Sequence, residues 1–282
     1  MSDAVGFGVR AKVERAGFEL AAQPVGISVP RSPIIEHMHQ PWDPEKYLIA
    51  RAPIDIGVVS DLDAFADGLP APVFENWYCH AGTPALDMPI KFPGSLFRVP
   101  AEFQRYAGAV QQIIDYETAV NEFVDRYFCY LTIDQAWVNA GEFHRRPGAH
   151  FDGIQGPRYP TKLWPDHSYI VSSDAGTGTT FYVQGFDFRN ADVAAVNWRP
   201  LVPMQADEQN TLVAEAGHIY LIDAYVAHRC TQSARDVRRT FLRMEFSLKV
   251  YDRLGNSVNP LFQDETSYLW PYVDRPLPAG LR

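Results

Sequence analysis

The segment from Arg239 to Ser247, RTFLRMEFS, alternates two kinds of side chain along its whole length. Successive residues of a β-strand point to opposite faces of the sheet, so the pattern predicts a strand with one apolar and one charged face. Leu242 and Met244 lie on the apolar face, whereas Arg239 and Arg243 lie on the charged face. Burying an unpaired guanidinium is costly. We therefore expect Arg239 or Arg243 to meet an acidic partner, and an acidic ligand is one candidate.

Six segments from about residue 130 onward show strand patterns, and clusters of Pro, Gly and Asp separate them. No helical segment connects these strands, which favours antiparallel pairing and a mainly β fold such as a sandwich, a barrel or a jelly roll. The predicted strands are Gln135–Phe143, Ser168–Ser173, Thr179–Gln184, Thr211–Glu215, His218–Asp223 and Arg239–Val250.

The length and the patterning predict one domain over residues 1–282. Prolines recur through residues 1–100, which we interpret as an irregular N-terminal region of short strands and loops. Apolar residues recur at helical spacing over residues 101–127, which predicts supporting helices that cover a sheet. The β core is expected over residues 130–250, and residues 251–282 form a C-terminal extension.

Composition excludes some classes of function. The formal net charge of −9 argues against a nucleic-acid partner bound through a broad basic face. The three cysteines, Cys79, Cys129 and Cys230, form no C-x-x-C pair, which is typical of a reduced, cytoplasmic protein. The N-terminus has no apolar signal-peptide core, and no stretch approaches 18 apolar residues, so neither a signal peptide nor a membrane span is predicted. The oligomeric state is not predicted.

An H-x-D motif and a later histidine carry the predicted chemistry. If the segment around His150 and Asp152 is extended, both side chains point to one side. His228 lies at the far end of a predicted buried strand that follows a turn at Gly217. Two imidazoles and one carboxylate on one face leave the opposite coordination positions open, which is the facial triad that suits Fe(II). We expect His150, Asp152 and His228 to be metal ligands, with no catalytic residue beyond this metal site.

The order of these residues resembles the Fe(II)/2-oxoglutarate-dependent oxygenase superfamily over residues 130–250. The matching features are the H-x-D motif, the distal His228 after a strand that Gly217 precedes, and an arginine about ten residues further on. The sequence from His228 to Phe241 is similar to the corresponding part of the phytanoyl- and prolyl-hydroxylases. The resemblance implies a double-stranded β-helix, or jelly roll, with flanking α-helices. It also implies Fe(II) on the triad and 2-oxoglutarate held through its distal carboxylate by an arginine.

Three arginines are candidates for that role. We expect Arg239 to hold the carboxylate, because strand alternation places it opposite the apolar face. Arg238, which forms an R-x-T similar to the family's R-x-S, and Arg243 are the alternatives. Trp137 and Asn139 lie on the strand predicted before the H-x-D motif, and we interpret them as lining the 2-oxoglutarate pocket, with ordinary strand packing as the alternative.

A polar, turn-rich loop follows Asp152 and contains Arg158 and Lys162, while Arg146 lies just before the motif. Loops on a rigid scaffold commonly carry substrate contacts, so these three cations are predicted to bind an anionic group of the substrate. The alternative is a solvated surface loop.

The preferred functional hypothesis is an oxygenase that uses dioxygen to hydroxylate or desaturate a small molecule, such as an amino acid or related metabolite. One alternative is a protein or nucleobase hydroxylase or demethylase of the same superfamily. Another is a non-catalytic jelly-roll protein that only binds a metal.

Overall fold

The fold is mainly β, as the sequence predicted. It is described from a computed structural model that covers residues 17–23, 26–67, 84–155, 159–189, 191, 200–253 and 256–262. The strands within these ranges are Gly17–Leu20 (β1), Ile54–Val58 (β2), Ala85–Lys91 (β3), Phe97–Pro100 (β4), Phe128–Val138 (β5), His167–Ser172 (β6), Thr179–Tyr182 (β7), Thr211–Val213 (β8), His218–Asp223 (β9), Ala227–Cys230 (β10) and Val237–Ser247 (β11).

Helices are few and mostly short. The α-helices in the described ranges are Pro33–His37 (α1), Leu62–Asp67 (α2), Ala107–Val120 (α3) and Leu201–Gln205 (α4). Short 3-10 turns span Pro44–Leu48, Ala101–Tyr106, Val124–Arg126, Ala175–Thr177, Glu208–Asn210 and Pro260–Phe262. The helices predicted over residues 101–127 are thus α3 with a 3-10 turn before it and another after it. Among all the described residues, no helix combines the length and the apolar character needed to cross a membrane.

The largest sheet has six strands in the order β2-β9-β6-β11-β5-β3, and every neighbouring pair in it is antiparallel. Strand β11 pairs with β5 along its whole length, from Val237 opposite Val138 to Ser247 opposite Phe128, and with β6 on its other side. A second sheet has the order β10-β7-β8, and β1 pairs with β4. The antiparallel prediction is confirmed, and the strand that opened the sequence analysis lies in the interior of the main sheet.

The strand predicted over Gln135–Phe143 is wrong in its bounds. Strand β5 begins at Phe128 and ends at Val138, and a turn follows in which the Glu142 amide donates to the Asn139 carbonyl over 3.0 Å. Gly141 adopts φ +83°, a conformation that glycine takes without strain. The H-x-D motif therefore follows a loop rather than a strand.

The N-terminal region supplies both edge strands of the main sheet, β2 and β3. Pro89 lies within β3, and an edge strand tolerates a proline because one row of its backbone groups is unpaired. The sheet that carries the site therefore extends beyond residues 130–250. Of the predicted C-terminal extension, the structure describes residues 251–253 and 256–262.

Helix α3 covers the apolar face of β11. Met244 of β11 lies opposite Tyr169 of β6, and directly opposite residues of an antiparallel pair share a face. The Tyr169 hydroxyl donates to Glu117 of α3 over 2.8 Å, so α3 lies on this side. Ile113 and Ile114 of α3 are fully buried in the same core cluster as Met244. The charged face of β11 is thereby left to the other side of the sheet.

Glu117 is a fully buried carboxylate that accepts hydrogen bonds from three side chains. Its donors are Asn121 Nδ2 at 2.6 Å, His167 Nε2 at 3.0 Å and the Tyr169 hydroxyl. Burial alone would raise the pKa of Glu117, but His167 and the three hydrogen bonds lower it below its usual value. Burial alone would lower the pKa of His167, but the Glu117 carboxylate raises it. The two groups therefore form a buried ion pair between α3 and β6.

We predict that Glu117→Gln lowers the free energy of unfolding by about 3 kcal/mol, because it leaves the His167 charge buried without its partner. Urea denaturation measures the loss, and Glu122→Gln, at an exposed carboxylate just beyond α3, is the matched control. Stability from the lowered Glu117 pKa is lost as pH falls through that pKa, and stability from the raised His167 pKa is lost as pH rises through it. A loss in Glu117→Gln no larger than in Glu122→Gln would contradict the ion pair.

Candidate metal centre

His150, Asp152 and His228 converge on one point, as the sequence predicted for a metal site. Each offers a ligand atom, and these three atoms lie within 4.8 Å of one another. His150 Nε2 lies 4.0 Å from Asp152 Oδ1, and His228 Nε2 lies 3.6 Å from Asp152 Oδ2. Within the described ranges, no other group of three or more His, Cys, Asp or Glu residues comes together in this way.

Backbone pairing holds the two histidines side by side. The His150 amide donates to the His228 carbonyl over 3.0 Å, and the His228 amide donates to the His150 carbonyl over 2.9 Å. Gly148 and Gly153 bracket the H-x-D motif and adopt φ +88° and +77°. A Cβ at Gly153 would also lie 3.1 Å from the Asp166 carboxylate, so this turn favours glycine twice over. The bridge to β10 thus replaces the strand that the sequence suggested.

Both histidines direct their Nε2 atoms to the site. His150 Nδ1 lies 2.9 Å from the Gly148 carbonyl, and His228 Nδ1 lies 3.1 Å from the Val226 carbonyl. A carbonyl oxygen only accepts, so each Nδ1 carries the proton and each Nε2 keeps a free lone pair. Burial, followed by the neighbouring His228, lowers the pKa of His150 to about 4. This imidazole is therefore neutral at pH 7, as metal ligation requires.

The Asp152 carboxylate is held by Arg243. Arg243 Nη1 donates to Asp152 Oδ2 over 3.1 Å, while Nη2 donates to Asp87 Oδ1 over 2.8 Å and lies 3.2 Å from Glu245 Oε2. Burial alone would raise the pKa of Asp152, but His228, Arg243 and His150 hold it well below its usual range. Two imidazole nitrogens and one ionised carboxylate fit the open-sided Fe(II) triad, and they fall short of the four ligands of a structural zinc site.

The triad lines a pocket of about 480 Å³ that also contains Arg239, Phe241 and Arg243 from the charged face of β11. Strand alternation therefore predicted this face correctly. On the same face of the sheet, the neighbouring strand β5 contributes Asp134, which lies beside Phe241 in the strand register.

Arg239 and Arg243 differ in their partners. The Arg239 side chain is buried, its Nε donates to the Ser172 hydroxyl over 2.8 Å, and its Nη1 lies 2.7 Å from His144 Nδ1. Across the described ranges no carboxylate forms an ion pair with Arg239, whereas Arg243 contacts three carboxylates. Burial lowers the pKa of Arg239 to about 10, so it remains a cation at neutral pH. Arg238 is exposed on the opposite face of β11. Of Arg238, Arg239 and Arg243, only Arg239 therefore combines pocket position, charge and capacity for an anionic ligand.

Trp137 and Asn139 do not line this pocket, which corrects the prediction made for them. Trp137 lies opposite Arg238, on the face away from Arg239, and is 64% exposed. Asn139 lies beyond the end of β5, and its side chain donates to Glu142 over 2.9 Å. Because β5 ends earlier than predicted and alternates in the other phase, Asp134 faces the pocket instead.

The predicted substrate cations are separated by the structure. Arg146 lines the pocket. Lys162 is not among the lining residues, because its ammonium donates to the carbonyls of Tyr159 over 2.9 Å and Gln155 over 3.4 Å. Arg158 lies outside the described residues.

Several pocket residues were not anticipated from the sequence. They are Asp87, Asp134, His144 and Arg253. Asp87 has φ +45° and is the one non-glycine residue with positive φ in the described part of the chain. The β3–β5 register shifts beside it, between Ala85 and Met88. A bulge of this kind leaves no clear sequence signal, whereas alternation along the true β5 would have revealed Asp134.

Comparison with known proteins finds solved structures that are weakly similar to this chain. No family model matches this chain, and no curated protein matches it. EvdO2 from Micromonospora carbonacea var. aurantiaca, complexed with 2-oxoglutarate, is 13% identical with a TM-score of 0.42, covering 82% of this chain and 94% of EvdO2. In another EvdO2 structure the match, at 14% identity and a TM-score of 0.35, covers 51% of this chain and only 64% of EvdO2.

Two further solved structures are similar at the same level. AviO1 from Streptomyces viridochromogenes Tue57 is 15% identical with a TM-score of 0.34, covering 78% of this chain and 96% of AviO1. The non-heme monooxygenase ThoJ in its nickel complex is 15% identical with a TM-score of 0.30, covering 51% of this chain and 59% of ThoJ. At these identities and TM-scores, the similarity does not indicate a function for this chain, and function is inferred from the geometry of the site.

We predict that Arg243→Gln weakens the binding of Mn(II) about 10- to 100-fold, because the Asp152 carboxylate loses the group that orients it. Calorimetric titration of the metal-free protein measures the affinity. Arg238→Gln, on the other face of the same strand, is the matched control. Arg243→Lys keeps the charge without the two-pronged contact and should fall between the two. Equal affinities in the Gln variant and the wild type would contradict the role.

Proposed function

We propose that this protein is an oxygenase that uses Fe(II), 2-oxoglutarate and dioxygen to hydroxylate or desaturate a small molecule. One observation carries the proposal. The buried guanidinium of Arg239 has no carboxylate partner among the described residues, and it lies in the same pocket as the His150, Asp152 and His228 triad.

Arg239 fits the distal carboxylate of 2-oxoglutarate. A guanidinium and a carboxylate form two parallel charge-assisted hydrogen bonds, and such a pair compensates for the burial of both charges. The Ser172 hydroxyl accepts from Arg239 Nε and donates to the Asp174 carbonyl over 3.2 Å, so it orients the guanidinium for the ligand. Ordering by Ser172 and His144 holds the guanidinium in place before the ligand arrives, so little side-chain entropy is lost on binding.

Ferrous iron, when bound, would supply dioxygen activation coupled to the oxidative decarboxylation of 2-oxoglutarate. The chain's own residues would do the rest by position and charge. His150 and His228 would offer their Nε2 atoms, and Arg243 keeps the Asp152 carboxylate ionised and oriented. Burial of the pocket floor excludes water from the reacting groups.

The antiparallel sheets support the proposed jelly-roll core. The triad sits where the loop carrying His150 and Asp152 meets β10 of the three-stranded sheet, while Arg239 and Arg243 come from the six-stranded sheet. The site thus lies between two antiparallel sheets, as it would in a double-stranded β-helix. The single-domain organisation remains a proposal on the same grounds.

Pocket size favours a small substrate over the alternatives. A volume of about 480 Å³ is near the lower end for ligand pockets, and 2-oxoglutarate would occupy part of it. A protein side chain or nucleobase is therefore the second candidate. A protein that only binds a metal has no need for the unpaired Arg239. The buried, unbridged Cys129 and Cys230 support our proposal of a cytoplasmic location.

The reaction class is tested by measuring succinate. With Fe(II), 2-oxoglutarate and dioxygen, we predict that the wild-type protein forms succinate and that His228→Ala abolishes it, because the triad loses a ligand. His218→Ala, at a histidine of β9 outside the pocket, is the control. Mass spectrometry of a metabolite mixture then seeks a gain of one oxygen or a loss of two hydrogens. Equal succinate formation by wild type and His228→Ala would contradict the proposal.

Arg239→Gln is predicted to raise the KM for 2-oxoglutarate by about 100-fold, since truncating one member of a buried charge pair costs about 2–5 kcal/mol. Arg238→Gln is the matched control, and its KM should equal that of the wild type because its side chain lies on the other face of β11. Steady-state succinate formation measures both constants. A raised KM in Arg238→Gln with an unchanged KM in Arg239→Gln would transfer the role to Arg238.

A further inference from the structure

The pocket is positively charged inside an acidic protein. Six arginines line it, namely Arg145, Arg146, Arg229, Arg239, Arg243 and Arg253. Five carboxylates face or pair with them, namely Asp87, Asp134 and Asp152 on the wall, with Glu208 paired to Arg229 and Glu245 paired to Arg243. With Glu245 ionised, one positive charge is left over within the described residues. Ferrous iron and the 2-oxoglutarate dianion carry equal and opposite charges, so their joint binding leaves this excess unchanged.

Four of the six arginines already have a role. Arg145 donates to Asp134 over 2.8 Å, and Arg229 donates to Glu208 over 2.8 Å. Arg243 is surrounded by three carboxylates, and Arg239 is assigned to the distal carboxylate of 2-oxoglutarate. The excess charge therefore falls on the two remaining arginines.

Arg146 and Arg253 keep most of their hydrogen-bonding capacity. Arg146 lines the pocket four residues before His150 and forms no hydrogen bond or ion pair with the described residues. Arg253 has one ionic contact, at 3.8 Å to Asp87 Oδ2, and its side chain is 63% exposed. The Oδ1 atom of Asp87 is already taken up by Arg243 and Thr132. Both guanidiniums thus border the pocket at its solvent side, and most of their N–H groups have no partner among the described residues.

We infer that Arg146 and Arg253 form a subsite for a carboxylate group of the substrate. The inference rests on the proposed function, and it names the substrate class: a small monocarboxylic acid whose oxidised carbon lies near the triad. One excess positive charge matches a monoanion, whereas the dianion of a phosphomonoester would leave the pocket negative. The planar fork of a guanidinium matches a carboxylate through two hydrogen bonds.

The arrangement also places the anion away from the metal. Arg239 holds the inner end of the pocket, at 1% exposure, whereas Arg146 and Arg253 are exposed. A substrate held by its carboxylate at the solvent side would direct its carbon chain inward. Its C–H bonds would then reach the triad after 2-oxoglutarate has bound beneath it.

Binding of matched acids and amides tests the subsite without knowledge of the natural substrate. The full chain is loaded with Zn(II), which is redox-inert, and saturated with 2-oxoglutarate. Butyrate, hexanoate and octanoate are then titrated against butanamide, hexanamide and octanamide and followed by saturation-transfer NMR. We expect at least one acid to bind about tenfold more tightly than its amide, and hexyl phosphate to bind more weakly than hexanoate.

The preference for the acid should disappear in the double variant Arg146→Gln/Arg253→Gln and persist in Arg31→Gln, which removes one exposed positive charge outside the pocket. Equal binding of acid and amide throughout the series, no binding of any acid, or a preference that survives in the double variant would each overturn the subsite. Tighter binding of hexyl phosphate than of hexanoate would overturn the assignment of a monoanion.

The outcomes also separate this inference from the proposed function. If 2-oxoglutarate binds through Arg239 but acids and amides bind alike, the subsite alone fails. If 2-oxoglutarate does not bind, the proposed function fails. The acid preference and its loss in the double variant are then measured on the metal-free protein, and they decide the subsite on their own.

Discussion

The site depends on one buried guanidinium, that of Arg243, which touches three carboxylates at once. Without it, Asp87, Asp152 and Glu245 would repel one another in a poorly solvated space, and at least one would take up a proton. Burial already raises the pKa of Glu245 to about 7 even though Arg243 opposes the shift. Because Arg243 belongs to an interior strand of the main sheet, the contact also fixes Asp152, a predicted metal ligand on a loop, to the most regular part of the fold.

Arg239 shows what the same strand does when no protein carboxylate is supplied. It lies four residues before Arg243 on the same face, and its described partners are a hydroxyl and an imidazole. Strand alternation gives the two arginines the same position relative to the sheet, and only the residues around them differ. Arg243 contacts three carboxylates, as expected of a group that orients them. Arg239 contacts a hydroxyl and an imidazole, which leaves its positive charge available to an anionic ligand. This difference is the physical basis for our assigning 2-oxoglutarate to Arg239.

Local sequence patterns predicted the charged face of β11 and the convergence of the triad. Alternation along β11 placed Arg239 and Arg243 on one face, and the H-x-D motif with the later His228 predicted the triad's convergence. The face of β5 that meets the pocket was missed because alternation alone does not say which face of a strand meets a site. Asp134 shares a face with Arg239 and Phe241, whereas Trp137 shares one with Arg238. Asp87 was out of reach, since its position depends on a register shift between two strands distant in sequence. Lys162 was misplaced because its own loop offers carbonyls closer than the pocket does.

Buried charge is compensated differently on the two faces of β11. Behind the sheet, Glu117 and His167 neutralise each other, so that face is closed. In front, the arginines outnumber the carboxylates that meet them, within a chain whose net charge is −9. An acidic exterior repels anions in general, whereas a positive pocket with poorly polarisable walls concentrates those small enough to enter. Under the proposed function, this charge distribution would favour small carboxylates over large polyanions, because only small anions can enter the pocket.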